Sequence, residues 1–287
     1  MAETDDTFTG TEHPYQKPHG LQIASTINLR TDPRCRGFFE DCFQQGQMGS
    51  CVANATAACY LFELRKHNVL NSIPGETIIP SRLFIYYNAR IALSQNIADR
   101  GCFIRHAFRS LEKYGVCSEA SWPYDKLRTN DKPPDACFQE ALEHKISTHE
   151  RLDVHRNAKG PDSTLDMDAD GDIVLENLRS CLSECRPVVF SLTWKIGDAV
   201  WDRDRPNGMW HIHAMAKTRH SKVSLPKAAH AVMAVGYDDN SKHVLCQNSM
   251  GVSKFLFWIP YDWITDFYAT SDFWTMKISL QTPTRIS

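Results

Sequence analysis

The sequence has no long hydrophobic run and no strong excess of charge of one sign. No apolar stretch approaches the roughly 20 residues that span a membrane, and residues 1–20 lack the basic start and apolar centre of a secretory signal. The formal net charge of -2 over 287 residues gives no general attraction to nucleic acid or to an anionic membrane. We therefore expect no nucleic-acid or membrane partner, and an intracellular protein or one delivered without a cleaved signal.

The sequence also lacks a compact set of metal ligands. It contains ten cysteines, but without a secretory signal we expect most of the thiols to be reduced and packed. Cys35 and Cys42 are close in sequence, as are Cys181 and Cys185, yet no further His or Cys beside either pair completes a tetrahedral zinc site. We expect neither a structural metal nor a cofactor.

One acidic segment imitates a calcium-binding loop. Residues 166–172 begin with the pattern D-x-D-x-D-G, but Asn177 occupies the twelfth position, where such a loop needs a bidentate Glu. We favour an acidic surface loop that caps a helix from Ile173 to Cys185, with calcium binding as the alternative.

The stretch Gln-Gly-Gln-Met-Gly-Ser-Cys, from Gln45 to Cys51, stands before an apolar run from Val52 to Leu64. Its glycines permit a tight turn, and Ser50 can cap the helix that the spacing of the apolar residues predicts. Cys51 then lies in the first helical turn, where free amides and the helix dipole favour a thiolate. A lone cysteine there is more often a small buried hydrophobe, so the chemistry depends on a base that can reach it.

Two predicted strands far downstream can supply that base. The first contains His230 within the run Ala228 to Asp239, and the second runs from Val244 and ends at Asn248. As neighbours in a sheet, the two strands would carry the imidazole and the amide side by side.

The order Gln45, Cys51, His230 and Asn248 resembles that of the papain family of cysteine peptidases. The family motifs are Gln-Gly-x-x-Gly-Ser-Cys, His-Ala-Val-x-x-x-Gly-Tyr and Asn-Ser-Trp-Gly. The resemblance covers most of the chain from about Leu29 to Asp262, and is closest to the bacterial and viral branch that lacks a long prodomain.

The resemblance implies a role for each of these residues in peptide-bond hydrolysis. Cys51 would be the nucleophile, His230 the general acid and base, Asn248 the residue that orients the imidazole, and Gln45 a donor of the oxyanion hole. The substrate would be a protein or peptide, bound with contributions from Gly49, Ser50, Ala229 and Met250. Related thiol acyl-transfer enzymes (an exopeptidase, a deubiquitinase-like or a transamidating enzyme) and a papain-fold binding module with faded catalysis are the alternatives.

The implied fold is α+β, with a helical half and a twisted sheet or barrel half on either side of a cleft. We predict an extended, candidate inhibitory segment over residues 1–40, a helical subdomain over 41–150 and a β-rich subdomain over 151–287. Predicted helices cover 80–93 and 102–114, the second with Phe103, Ala107, Leu111 and Tyr114 on one stripe and Gly115 at its end. A polar passage between the two halves is predicted from Lys126 to Lys159.

Three features depart from the family pattern. Met250 replaces the motif's tryptophan, and Ala229 replaces the glycine that usually precedes the histidine. The 179 residues from Cys51 to His230 exceed the interval in papain. We therefore expect insertions within 126–170 and 194–225, the second of which carries three tryptophans.

Overall fold

A computed structural model of the chain describes most of its residues. They are residues 13–35, 37–39, 43–73, 77–92, 97–153, 167–193, 199–201, 210–212, 229–251, 255–266 and 269–278. None of the helices in these ranges combines the length and the hydrophobicity needed to cross a lipid bilayer.

The helical half follows the predicted turn and begins at Cys51. Its elements are α1 (Cys51–Leu70), α2 (Arg82–Ile91), α3 (Ile104–Lys113), a short 3-10 helix (Lys126–Arg128) and α4 (Asp135–Ala141). Residues 52–57 and 59–64 of α1 are buried, because this helix lies between α2 and α3 on one side and the sheet on the other. A helix that is buried on nearly all sides fixes the position of its first residue, Cys51.

The β half forms one sheet within the described residues. Its strands are β1 (Thr26–Asn28), β2 (Thr148–Arg151), β3 (Val188–Thr193), β4 (Ala199–Trp201), β5 (Trp210–Ile212), β6 (Ala229–Asp238), β7 (His243–Gln247), β8 (Leu256–Pro260) and β9 (Thr270–Lys277). The strand order is β2-β9-β3-β6-β7-β8-β5-β4, with β1 also paired to β6. All of these pairs are antiparallel except β5 with β8. The predicted α+β class is confirmed.

The prediction of a surface loop for the acidic segment is wrong. Residues 167–172 are not a loop, because helix α5 (Met167–Ser183) already begins at Met167. Only a glycine fits at position 171 of this helix. A Cβ there would lie 2.4 Å from the carbonyl oxygen of Thr265, in the neighbouring short helix α6 (Tyr261–Thr265). Residues two apart on a helix do not face each other, so this backbone does not bring alternate carboxylates onto one calcium ion. Asp166 lies outside the described residues.

Two further predictions need correction. Phe103 does not share the buried stripe of Ala107 and Leu111: it is 52% exposed, because its backbone is still extended before α3 begins. The region after Lys126 is not only a polar passage, since it contains α4 and β2 and buries Cys137 and Ala141.

Gly115 follows α3 with φ +76, as the sequence predicts. A Cβ there would lie 1.8 Å from the Ala141 carbonyl oxygen, so α3 and α4 pack closely only because this residue is glycine. The division into segments at residues 40 and 150 stays a prediction, although β1 and β2 both join the sheet of the β-rich half.

Candidate active site

Cys51 is the first residue of α1 and is half-buried at the edge of the core. Ser50 occupies the N-cap position as predicted, but its side chain makes no capping hydrogen bond to the helix. Its hydroxyl instead contacts the Tyr124 hydroxyl and accepts a 3.1 Å hydrogen bond from Asn54 Nδ2. The start of the helix is therefore fixed by tertiary contacts rather than by a local cap.

The Cys51 thiol forms a side-chain hydrogen bond with His230. Burial raises the pKa of the Cys51 thiol, but this hydrogen bond, the His230 charge and the N–H groups of Ala231 and Val52 outweigh burial and leave the pKa below its usual value. For His230, burial lowers the pKa, whereas the hydrogen bond and charge of Cys51 and the hydrogen bond of Asn248 raise it overall. Opposite shifts of this kind stabilise a thiolate beside an imidazolium.

The sheet brings His230 and Asn248 together. His230 lies at the start of β6 and Asn248 directly follows β7, two strands that pair antiparallel with Met233 opposite Gln247. His230 Nε2 is 2.8 Å from Asn248 Oδ1, and both residues are buried. Because an imidazole has two ring nitrogens, this contact leaves Nδ1 as the one that faces the Cys51 thiol.

Gln45 joins the same group of residues through Ser249. Its backbone N–H donates to the Ser249 carbonyl at 2.9 Å, and its Oε1 accepts from the Ser249 hydroxyl at 2.7 Å. Its Nε2 donates to the Met48 carbonyl at 3.1 Å. The structure thus places the Gln45 amide beside the residue that follows Asn248, with its nitrogen turned toward the loop before Cys51.

The predicted substrate-binding residues lie in different environments. Ala229 and Met250 are exposed, and the Gly49 N–H donates to Asp99 Oδ1 at 2.8 Å. A Cβ at Gly49 would lie 3.0 Å from the same oxygen, so a larger residue there would have to displace the Asp99 side chain. Ser50, by contrast, is fully buried, so its side chain supports the loop from behind instead of facing a substrate.

A polar cluster lies behind the loop that precedes Cys51 and consists of Arg82, Glu119 and Tyr124. No role was predicted for these residues from the sequence. Arg82 pairs with Glu119 at 2.7 Å and its guanidinium lies 4.0 Å above the Tyr124 ring. The Tyr124 hydroxyl donates to the Gln45 carbonyl at 3.0 Å and also contacts Ser50. The available signal was weak: Arg82 is a charged residue at the very start of the largely buried helix α2.

The tryptophan-containing insertion lies mostly outside the described residues. Only β4 and β5 belong to it, and Trp194 is not described. His213 and His220, two other histidines of this insertion, also fall outside the described residues.

Comparison with known sequences gives one informative relative, and no family model matches the chain. The chain is 33% identical over 243 residues to an uncharacterized peptidase C1-like protein of Acanthamoeba polyphaga mimivirus. The match covers 81% of this chain and 68% of the viral protein.

Solved structures give the same picture. Xylellain, a cysteine protease from Xylella fastidiosa, matches with a TM-score of 0.67 and 28% identity, over 93% of this chain and 92% of xylellain. A digestive procathepsin L 3 of Tenebrio molitor larvae matches with a TM-score of 0.60 and 14% identity, over 93% and 74% of the two chains. A Carica candamarcensis cysteine protease in complex with E-64 matches with a TM-score of 0.54 and 16% identity, over 90% and 100%. At such low identity, the last two support the fold alone.

Proposed function

Because the chain belongs to the papain-like, peptidase C1 family of cysteine peptidases, we propose that Cys51, His230 and Asn248 are its catalytic triad. The observation that carries this proposal is the continuous contact from the Cys51 thiol through the His230 ring to the Asn248 amide oxygen. We further propose that Gln45 contributes to the oxyanion hole.

In the proposed reaction, the Cys51 thiolate attacks the carbonyl carbon of a peptide bond. The His230 imidazolium then protonates the leaving amine, which produces a thioester between Cys51 and the acyl part of the substrate. The neutral imidazole next removes a proton from water, and the resulting attack on the thioester releases the acid and restores the thiolate–imidazolium pair of Cys51 and His230. The opposite pKa shifts of Cys51 and His230 favour the charged pair from which this sequence starts.

Asn248 has an orienting role in this proposal. Its Oδ1 accepts from His230 Nε2 and also from the backbone N–H of Ser249 at 2.8 Å. These two hydrogen bonds hold the Asn248 amide group in place at the end of β7. An imidazole bonded at Nε2 keeps Nδ1 directed at the thiol. Asn248 therefore acts on the reaction through the position and the charge of the ring.

Gln45 can stabilise the oxyanion without leaving its present partners. A side-chain amide carries two N–H bonds, and the Met48 carbonyl takes one of them. The second N–H, together with the backbone N–H of Cys51, is then available for the negative oxygen of the tetrahedral intermediate. One such donor contributes about 3 kcal/mol to the transition state in comparable sites.

Hydrolysis is favoured over transamidation as the outcome of the thioester. The orienting residue is an amide, Asn248, whereas transglutaminase-like triads usually end in an aspartate. A faded binding module is disfavoured, because the residues proposed for each catalytic role lie in contact. Endopeptidase and exopeptidase activity differ in access to the cleft, and a substrate assay with blocked and free peptide ends distinguishes them.

The candidate inhibitory segment is narrower than the sequence suggested. Residues 13–28 follow the sheet: the Tyr15 N–H donates to the Arg151 carbonyl, and β1 pairs with Gly236 to Asp238. At about 3.3 Å per residue, that end of β6 is roughly 20 Å from His230. Inhibition within the chain is therefore not proposed for residues 13–28. It is proposed for residues 1–12, which lie outside the described residues.

The proposal is tested by labelling the full-length protein with an epoxide inhibitor of papain-like enzymes and measuring the intact mass. We expect one adduct, located on Cys51 by peptide mapping, and none in Cys51→Ala. Cys102→Ala is the matched control, since Cys102 is also half-buried, and it should label at the wild-type rate. A folded protein that takes no adduct, or takes it at another cysteine, would refute the triad.

A further inference from the structure

Cys35 and Cys185 form a thiol pair outside the proposed active site. The two sulfur atoms and a carboxylate oxygen of Asp32 all lie within 4.8 Å of one another. Cys35 is fully buried and Cys185 is 8% exposed, so Cys185 is the member of the pair that reaches the protein surface. Proximity in sequence would match each of them with a different cysteine. The fold pairs them with each other, although about 150 residues separate them.

The backbone holds both thiols in place. Cys185 follows α5 with φ +56, its N–H donates to the Leu182 carbonyl at 3.0 Å, and its own carbonyl accepts from Lys66 Nζ at 2.9 Å. The Cys35 N–H donates to the Asp32 carbonyl at 3.0 Å. These contacts hold the two sulfur atoms within 4.8 Å of each other. A disulfide requires them to approach to about 2.05 Å.

The charges around the pair make its two members unequal. The hydrogen bond from Cys35 lowers the pKa of the Cys185 thiol, burial and the Asp32 carboxylate raise it, and Arg34 and Lys66 lower it further, so that the pKa lies below its usual value. The same hydrogen bond, together with burial, raises the pKa of Cys35. Cys185, the cysteine nearer the surface, is thus also the one whose thiol forms a thiolate more readily, which is the arrangement of an attacking and a resolving cysteine.

A metal ion is a poorer fit to this cluster than sulfur chemistry. Both oxygens of Asp32 already accept hydrogen bonds from the Arg34 guanidinium, at 2.7 to 3.2 Å, and Oδ1 also accepts from the Arg34 backbone N–H at 2.9 Å. A cation bound by Asp32 would have to compete with a guanidinium that is already there. The two thiols are left as the reactive groups.

We propose that Cys35 and Cys185 form a reversible disulfide bond when the protein meets a peroxide. In the first step the Cys185 thiolate attacks one oxygen of hydrogen peroxide, the O–O bond breaks, and protonation of the leaving hydroxide gives a sulfenic acid and water. In the second step the Cys35 sulfur attacks the sulfenic sulfur and releases a second water. Two thiols are oxidised and one peroxide is reduced. The proposal does not depend on the catalytic role of Cys51.

A second thiol pair provides an internal comparison. Cys117 and Cys137 are both buried and form a hydrogen bond with each other, and the Cys137 thiol also donates to the Ser121 carbonyl at 3.7 Å. Burial and the nearby carboxylate of Glu140 raise the pKa of both thiols. Each pair is joined by a hydrogen bond and has a carboxylate nearby, but of the two pairs only Cys35 and Cys185 also lie beside cations, Arg34 and Lys66. The second pair should therefore stay reduced under mild peroxide.

The proposed bond would close a loop of about 150 residues and so restrict the unfolded chain. A cross-link of that span should raise the melting temperature by about 5 °C, and dithiothreitol should reverse the shift.

The test uses full-length Cys51→Ala protein, so that the proposed nucleophile cannot consume the oxidant. The protein is treated with hydrogen peroxide, free thiols are alkylated, and peptides are mapped without reduction. We expect the peptides of Cys35 and Cys185 to be linked with a loss of about 2 Da, in about tenfold excess over any other pair. Cys137→Ser is the matched control and should form the same link at the same rate.

Cys35→Ser separates the two steps. In this variant the reaction should stop at a sulfenic acid on Cys185, which dimedone traps. A first link between Cys117 and Cys137, a link to Cys42, or sulfenic acid on Cys35 in a Cys185→Ser variant would overturn the assignment, as would no link at all. If a serine variant does not fold, the peptide map of the Cys51→Ala protein decides alone.

Discussion

The two walls of the proposed site are held by different means. On the helical wall, side chains fix the loop before Cys51: Tyr124 contacts the Gln45 carbonyl and Ser50, and Arg82 covers the tyrosine ring. On the sheet wall, backbone pairing between β6 and β7 brings His230 to Asn248. The first wall should therefore be sensitive to single side-chain changes at a distance, whereas the second should be sensitive chiefly at the reacting residues themselves.

The largest effect is expected from removing the base on the sheet wall. His230→Gln should reduce kcat/KM by about 10⁴-fold or more, because it removes the imidazole that contacts the Cys51 thiol and a missing triad member disables the group. The assay is hydrolysis of a fluorogenic peptide. The control is His243→Gln, on the neighbouring strand, which should keep near wild-type activity. Comparable losses in both variants would show that strand disruption, rather than lost chemistry, explains the result.

The next largest effect should come from the helical wall. Gln45→Ala should lower kcat by about 100-fold with little change in KM, since the amide is proposed to act on the transition state. Gln47→Ala, two residues away and exposed, should be near wild type. A rise in KM with unchanged kcat would instead assign Gln45 to substrate binding.

A smaller loss of kcat is expected from a change at Tyr124, which supports the helical wall from behind. Tyr124→Phe removes the hydroxyl that contacts Gln45 and Ser50 but keeps the ring beneath Arg82, and we expect about a tenfold loss in kcat, the equivalent of one hydrogen bond. Its slower labelling by the epoxide inhibitor would report a displaced Cys51 loop. Tyr114→Phe, a half-buried tyrosine in the same half, is the control. Unchanged kinetics in Tyr124→Phe would mean that the loop holds its shape without the hydroxyl.

The smallest effect is a shift along the pH axis. The thiolate and imidazolium coexist above the lowered pKa of Cys51 and below the raised pKa of His230, so activity should follow a bell with these limits. The Asn248 hydrogen bond helps to raise the His230 pKa, so Asn248→Ala should move the alkaline limb to lower pH. The measurement is kcat/KM for the fluorogenic peptide against pH. An alkaline limb that does not move would show that Asn248 does not raise the pKa of His230.

The candidate site residues that belong to a local motif were identified from the sequence. Those that come together only through the folding of distant segments were missed. Gln45, Cys51, His230 and Asn248 stand in recognisable local patterns, and the structure brings them together. Their places on the start of a helix and the ends of two strands follow from local periodicity.

The supporting contacts could not be found in the same way. Arg82, Glu119 and Tyr124 come from separate segments and meet through the packing of α2 against the loop before α1. The helix through residues 167–172 was also missed, because acidic residues and a glycine predict a loop unless the neighbouring α6 is known to pack against that glycine. Long-range packing overrode local propensity in both cases.

The three partners of β6 have a consequence for the order of events during synthesis. This strand pairs with residues 26–28, 188–193 and 243–247, so it becomes fixed only after distant parts of the chain have been joined. Contacts of such long range form late in folding. Helix α1 and its thiol, by contrast, are synthesised about 180 residues before His230 is translated. In the proposed mechanism the nascent chain therefore carries a nucleophile without a base, and it gains the ability to cut peptides only when its sheet is complete.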